Sequence, residues 1–237
     1  VDKKLRLYNL EFLTQLNDKK YDDLDRSLKR VIDETQIVTY QIEAQTPKEV
    51  RYSIFNRINT GGLSLNAQEI RQALNQKGQG VNFLKEICEN DIFKKVVGIS
   101  SQRMADRELA LRFIAFKLTH YTEFKVADMG SFLDSAMDML DKINDLSLLD
   151  KIKNDLFDSL VFSEKILGKN HRFSRSIAIE EKTRTLNRSL FDVISVCFSE
   201  IQDKNKFLLQ KEKFVNKFKN LLLNQQGEFS KSITEGT

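Results

Sequence analysis

One proline, Pro47, stands in 237 residues, and only nine glycines punctuate the rest. A chain so poor in helix breakers is steered towards helices, because sandwiches of short strands need far more turn residues than this. From Val81 onward every segment bears this out in its pattern. Val81 to Val97 predicts one or two short helices, and Met104 to Tyr121 a nearly all-apolar one with Leu109, Leu111, Phe113, Ile114, Phe116 and Leu118. A helix apolar on every side belongs at the centre of a bundle. Further helical stripes run through Phe132 to Ile143, Leu149 to Leu160, Leu186 to Ile201 and Phe214 to Leu222. Gly168 to Thr183 is polar, basic and poorly periodic, which predicts a loop.

The first third reads differently. LRLYNL and EFLTQL are short apolar alternations, followed by a helix with Leu24, Leu28, Val31 and Ile32 on one face. QIVTYQIE alternates with period two and puts Val38, Tyr40 and Ile42 on one side of a strand. Thr46, Pro47, Lys48 and Glu49 then form a capping box with proline at the first helical position. Lys77 to Gly80, KGQG, is the expected domain boundary. The expected architecture is mainly α with a small α/β part: an α/β domain over residues 1–76 and a helical domain over 77–237.

Composition narrows the function classes. Hydrophobic residues at 41% and charged residues at 30% suit a globular chain. No apolar run approaches the length of a membrane span, and VDKKLRLYNL lacks the apolar stretch of a signal peptide, so a cytoplasmic protein without a membrane partner is expected. Cys88 and Cys197 lie far apart in apolar helical patterns and read as reduced core residues. The net charge of +4 divides unevenly, with +5 carried from Ser163 onward and −1 before it. Arg172, Arg175, Arg184 and Arg188, then Lys213 and Lys217, are the candidate DNA-binding residues of that basic last third. Solvated helix faces, with acids interspersed, account for the same charges.

Few catalytic signatures are present. The chain has no G-x-x-x-x-G-K-[ST] phosphate loop, and its two histidines, His120 and His171, lack metal-ligand spacing. The concentrated polar signal is FNRINTGGLSLNAQEIRQAL, Phe55 to Leu74. Arg57, Asn59 and Thr60 lead into the Gly61–Gly62 turn, and Asn66, Gln68, Glu69 and Arg71 start the next helix. Backbone N–H groups at such a turn and helix start can hold an anion, and Arg57 and Arg71 can add charge-assisted bonds to a phosphate. The same residues also suffice to end one helix and cap another. Arg103 and Arg107, one turn apart ahead of the most apolar helix, can pair with this segment or support a ligand there.

FNRINTGGLSLNAQEIRQAL resembles the signature of the GmrSD-type restriction endonuclease N-terminal domain. QIVTYQIEAQTPKEVRYSIFNRINTGG is similar to that family's strand-helix-turn order, and RMADRELALRFIAF, TLNRSLFDVISV and SITEGT resemble further segments of it. The resemblance implies a partial fold of the ParB and sulfiredoxin kind followed by a helical bundle. It also implies a nucleoside triphosphate with Mg²⁺ as cofactor, DNA as target, often modified phage DNA, and a His-containing nuclease domain or subunit as helper. The residues matching the motif are Arg57, Asn59, Thr60, Gly61, Gly62, Asn66, Gln68, Glu69 and Arg71. The family's Asp-Gly-Gln-Gln-Arg motif, linked to nucleotide hydrolysis, does not occur in this sequence. A fragment or degenerate member is the expectation, with catalytic residues unassigned. The expected function is the nucleotide-binding or sensor part of a modification-dependent restriction protein; the alternative is a non-catalytic DNA-binding or partner-docking helical module.

Overall fold

The structure is a computed structural model and describes residues 5–39, 41–43, 45–58, 65–124, 128–169, 172–179, 185–224 and 226–235. The chain divides into two compact units, Val1–Thr46 and Pro47–Thr237.

In the first unit, α1 (Arg26–Glu34) starts where the Asp25 side chain accepts from the Leu28 N–H at 2.9 Å. Ahead of it, Arg6 and Lys20 form an isolated antiparallel bridge, and 3₁₀ turns occupy Thr14–Leu16 and Tyr21–Asp23. Tyr21 donates its hydroxyl to Asp33 at 2.6 Å, tying the turn to α1.

The mainly helical class is shown, and the expected small α/β part is not. Among the described residues there is no strand, and residues 37–39 and 41–43 form no strand ladder. Alternation alone makes a strand only where a neighbour completes the ladder and a core covers the apolar face. Ile37 and Val38 have neither, at 81% and 76% exposed. Tyr40 lies outside the described residues.

The second unit is a helical bundle: α2 (Lys48–Ile58), α3 (Ala67–Leu74), α4 (Gln79–Glu89), α5 (Asp91–Val97), α6 (Ala105–Leu118), α7 (Met129–Lys142), α8 (Leu146–Leu167), α9 (Ser176–Ile179), α10 (Arg188–Ser199), α11 (Lys204–Leu208), α12 (Lys211–Leu223) and α13 (Glu228–Glu235). As its composition requires, α6 is central. Leu109, Ala110, Leu111, Phe113, Ile114 and Ala115 are completely buried, and α4, α7 and α10 pack around it. The long α8 lies against α10 and α5. Phe162, Phe198, Phe207, Phe214 and Phe218 continue the core towards α12 as a chain of aromatic contacts with centroids 5.1–5.8 Å apart.

Two loops read differently in three dimensions. Lys77 to Gly80, expected to divide domains, is packed within the second unit. Gln79 donates its side-chain amide to the Leu140 and Ile143 carbonyls at the end of α7, and the Gly80 N–H donates to Asp141 Oδ1 at 2.8 Å. A Cβ on Gly80 would stand 2.9 Å from that same carboxylate oxygen, so the close approach explains the glycine. In the expected loop after Gly168, residues Ser176–Ile179 form a short helix.

Arg112 is the one basic residue inside the buried face of α6. It donates bidentately to Asp192 of α10, from Nε at 2.9 Å and 3.1 Å and from Nη2. Burial pushes the Asp192 carboxyl up to about 6, against the pull of Arg112. The folded chain therefore holds this proton at pH values where the unfolded chain has released it. The stability it contributes is complete below about pH 4 and is lost as pH rises through about 6. Urea denaturation from pH 4 to 7 should accordingly show the wild type losing stability relative to Asp192→Asn; a constant difference across that window would refute the shift.

Candidate functional site

The motif singled out by sequence spans the end of α2, residues 59–64 outside the described structure, and the start of α3. Asn59, Thr60, Gly61 and Gly62 lie outside the described residues. Arg57 is exposed in the last turn of α2, where a cation suits the helix dipole. On the far side of the turn, Asn66 Oδ1 accepts from the Glu69 N–H at 2.9 Å and Glu69 Oε2 accepts from the Asn66 N–H at 2.7 Å, a complete capping box.

Arg103 joins this cap from another part of the chain. Its carbonyl accepts from Asn66 Nδ2 at 2.8 Å, and its Nη2 donates to Glu69 Oε2 at 3.1 Å. The Asn66 N–H first, then Arg103, hold the Glu69 carboxyl below the usual carboxylate range. Arg103 and Met104 both occupy the left-handed region, with φ of 57° and 58°. Two adjacent non-glycine residues there cost about 1–3 kcal/mol each, a strain the surrounding contacts must hold in place.

The inward face of α3 carries the correction. Arg71 is 2% exposed and its guanidinium is committed. Nε donates to Asp134 Oδ1 at 2.7 Å, Nη1 to Gln68 Oε1 at 2.6 Å and Nη2 to the Gly130 carbonyl at 3.3 Å. This arginine ties α3 to the first turns of α7. It borders a cavity of about 440 Å³ whose wall also includes Asp128, Asp134 and Asp138. Three carboxylates line the cavity beside a single paired cation, and the Arg71 donors expected to meet an anion go instead to Asp134, Gln68 and Gly130.

What the motif leaves unsatisfied is more informative. Gln68 is 1% exposed, its Oε1 is taken by Arg71, and its Nε2 has no hydrogen-bond partner. Arg51 Nε on α2 and Gln72 Oε1 on α3 are also buried without partners. Such groups are uncommon in folded chains and call for a cause, since each lost bond costs about 1–3 kcal/mol. Of the four unpartnered buried side-chain atoms among the described residues, these three sit on the two helices that flank the turn.

The remaining candidates disperse. Arg107 lines a different cavity, between α4, α5 and the start of α6. Arg172, expected on a DNA-facing surface, is 1% exposed and donates to the Val96 carbonyl at 2.6 Å, the Lys95 carbonyl at 3.0 Å and the Lys169 carbonyl. It closes the C-terminal end of α5, where free carbonyls attract a cation, and is withdrawn from any DNA surface. Arg175 donates to Ser230 Oγ at 3.3 Å, and Arg188 lies 3.3 Å from Glu108. Arg184 and His171 lie outside the described residues. Lys213 and Lys217 are exposed one turn apart on α12. His120 caps a 3₁₀ turn through Thr122, and Cys197, expected in the core, is exposed while Cys88 is buried. Among the described residues no cluster of His, Cys, Asp and Glu could hold a metal ion, and no helix is long and apolar enough to cross a membrane.

Compared with family models, curated proteins and solved structures, the chain matches none. Sequence reading found the capping residues and missed Asp134 and Gly130, which have no motif of their own and reach Arg71 only through the packing of α7.

The two acid contacts of the motif differ in burial, and their loss should differ accordingly. Asp134→Ala leaves the buried Arg71 without its carboxylate and should lower unfolding free energy by about 1–3 kcal/mol. Arg103→Ala, at an exposed pair, should cost about 1 kcal/mol or less. Equal effects in urea denaturation would mean that Arg71 is not the tie between α3 and α7.

Proposed function

We propose that this chain is the nucleotide-binding, sensor part of a modification-dependent DNA restriction protein of the GmrSD type. The observation that carries the reading is the Gln68 side-chain amide, a motif residue in the first turn of α3 whose Nε2 donor is buried and unpaired. A phosphate oxygen is an acceptor of the kind this donor lacks, and backbone N–H groups of a Thr-Gly-Gly turn add others. Exposed Arg57 supplies positive charge on the α2 side. A second support is that two of the segments carrying the resemblance, Phe55 to Leu74 and Arg103 to Phe116, meet through Asn66, Glu69 and Arg103.

In this reading a nucleoside triphosphate with Mg²⁺ is held by its phosphates at the turn, Arg57 and Gln68, while Arg71 positions Gln68 without touching the ligand. DNA cleavage belongs to a His-containing nuclease domain or subunit, as the resemblance implies, and the chain binds the nucleotide without the Asp-Gly-Gln-Gln-Arg motif linked to its hydrolysis. Calorimetric titration with each of the four ribonucleoside triphosphates and Mg²⁺ should give saturable binding to at least one. Arg57→Ala and Gln68→Ala should each weaken it about tenfold or more, as expected for losing a charge-assisted bond. A folded chain that binds none of the four sinks the proposal.

The exposed lysine face of α12 favours a second reading, a DNA-binding helical module without nucleotide response. Lys213 and Lys217 lie on one side of the helix, where they can follow a phosphate backbone. Replacing both by Glu should weaken duplex DNA binding and reduce the salt slope by roughly two. A titration unchanged in affinity and slope removes α12 from any DNA footprint.

A further inference from the structure

A second cavity, of about 420 Å³, opens between α4, α5 and the start of α6. Its wall combines three chemistries. Phe93, Val97 and Ile99 form an apolar side. Lys94 and Arg107 bring positive charge, while Lys85 and Glu89 stand 3.8 Å apart and offset each other. Asp106 brings a carboxylate that is 8% exposed, and its Oδ1 has no hydrogen-bond partner. This oxygen is the fourth unpartnered buried side-chain atom among the described residues, and it stands apart from the motif. The Cys88 thiol hydrogen-bonds the Asp106 carboxylate but offers no compensating charge, because burial and then Asp106 raise its pKa and keep it neutral.

An anion in this cavity would satisfy Lys94 and Arg107 and be repelled by Asp106. An amine would satisfy Asp106 and be repelled by the two cations. A zwitterion answers both. We propose that the cavity binds a free α-amino acid with an apolar side chain, its ammonium donating to Asp106, its carboxylate accepting from Arg107 and Lys94, and its side chain against Phe93, Val97 and Ile99. Burial of Asp106 makes the ammonium end selective, since a ligand lacking it leaves that carboxylate desolvated, while the half-buried Arg107 and the exposed Lys94 favour a ligand that also carries a carboxylate. The volume admits side chains as large as that of phenylalanine, and the site needs nothing from the turn between α2 and α3.

The test is calorimetry of the full chain with leucine and phenylalanine. Parallel titrations use analogues without the ammonium, 4-methylpentanoate and 3-phenylpropanoate, and without the carboxylate, 3-methylbutylamine and phenethylamine. At least one amino acid should bind saturably, with both of its truncated analogues at least tenfold weaker. Asp106→Asn and Arg107→Gln should each weaken binding tenfold or more. If Asp106→Asn does not fold, as judged by its circular dichroism melt, the half-buried Arg107→Gln carries the test alone. Neither amino acid binding to the folded wild type, analogues binding equally well, or unchanged affinity in Arg107→Gln would each overturn the proposal.

Discussion

The bundle depends on how α6 reconciles complete burial with a charge. Leu109 to Ala115 lie in the centre of the second unit, and Arg112 sits among them with its guanidinium out of water. A lone buried charge would be prohibitive, and only a carboxylate presented bidentately at that depth makes it tolerable. Asp192 does this from α10, so α6 and α10 can meet in one register only. With that register set, α8 covers the other side of α10, and the phenylalanine chain leads the core on towards α12.

The same device recurs twice. Arg71 joins α3 to α7 through Asp134 and Gly130, and Arg172 closes α5 through the Lys95 and Val96 carbonyls. Each divides its fixed fork of donors between a partner three residues away and partners from a distant part of the chain. In the sequence both look available to a phosphate, because a residue type announces its charge and not its partners. Burial separates them from Arg57, Lys213 and Lys217, whose side chains face solvent.

Around the motif, satisfaction and its absence divide the residues by role. Asn66, Glu69, Arg71 and Arg103 are occupied with one another or with α7, so they build and place the segment. Gln68, Arg51 and Gln72 each keep one buried polar atom without a hydrogen-bond partner. The strained backbone at Arg103 and Met104 lies on the same junction, where contacts to Asn66 and Glu69 hold it.

Local chemistry made much of this legible in the sequence. Helical periodicity located the central helix, the short pair α4 and α5, and the stripes of α7, α8, α10 and α12, because a 3.6-residue repeat and a shortage of proline act within a few turns of chain. The Asn66–Glu69 cap was equally readable, since its partners are three residues apart. Tertiary structure alone decided what depends on distant neighbours. QIVTYQIE has the alternation of a strand but no ladder beside its described residues, and KGQG has the composition of a linker but packs on Asp141. Whether Arg71, Arg112 and Arg172 turn outward to ligands or inward to carboxylates and carbonyls was likewise settled by packing, because a buried charge takes its meaning from the group brought to meet it.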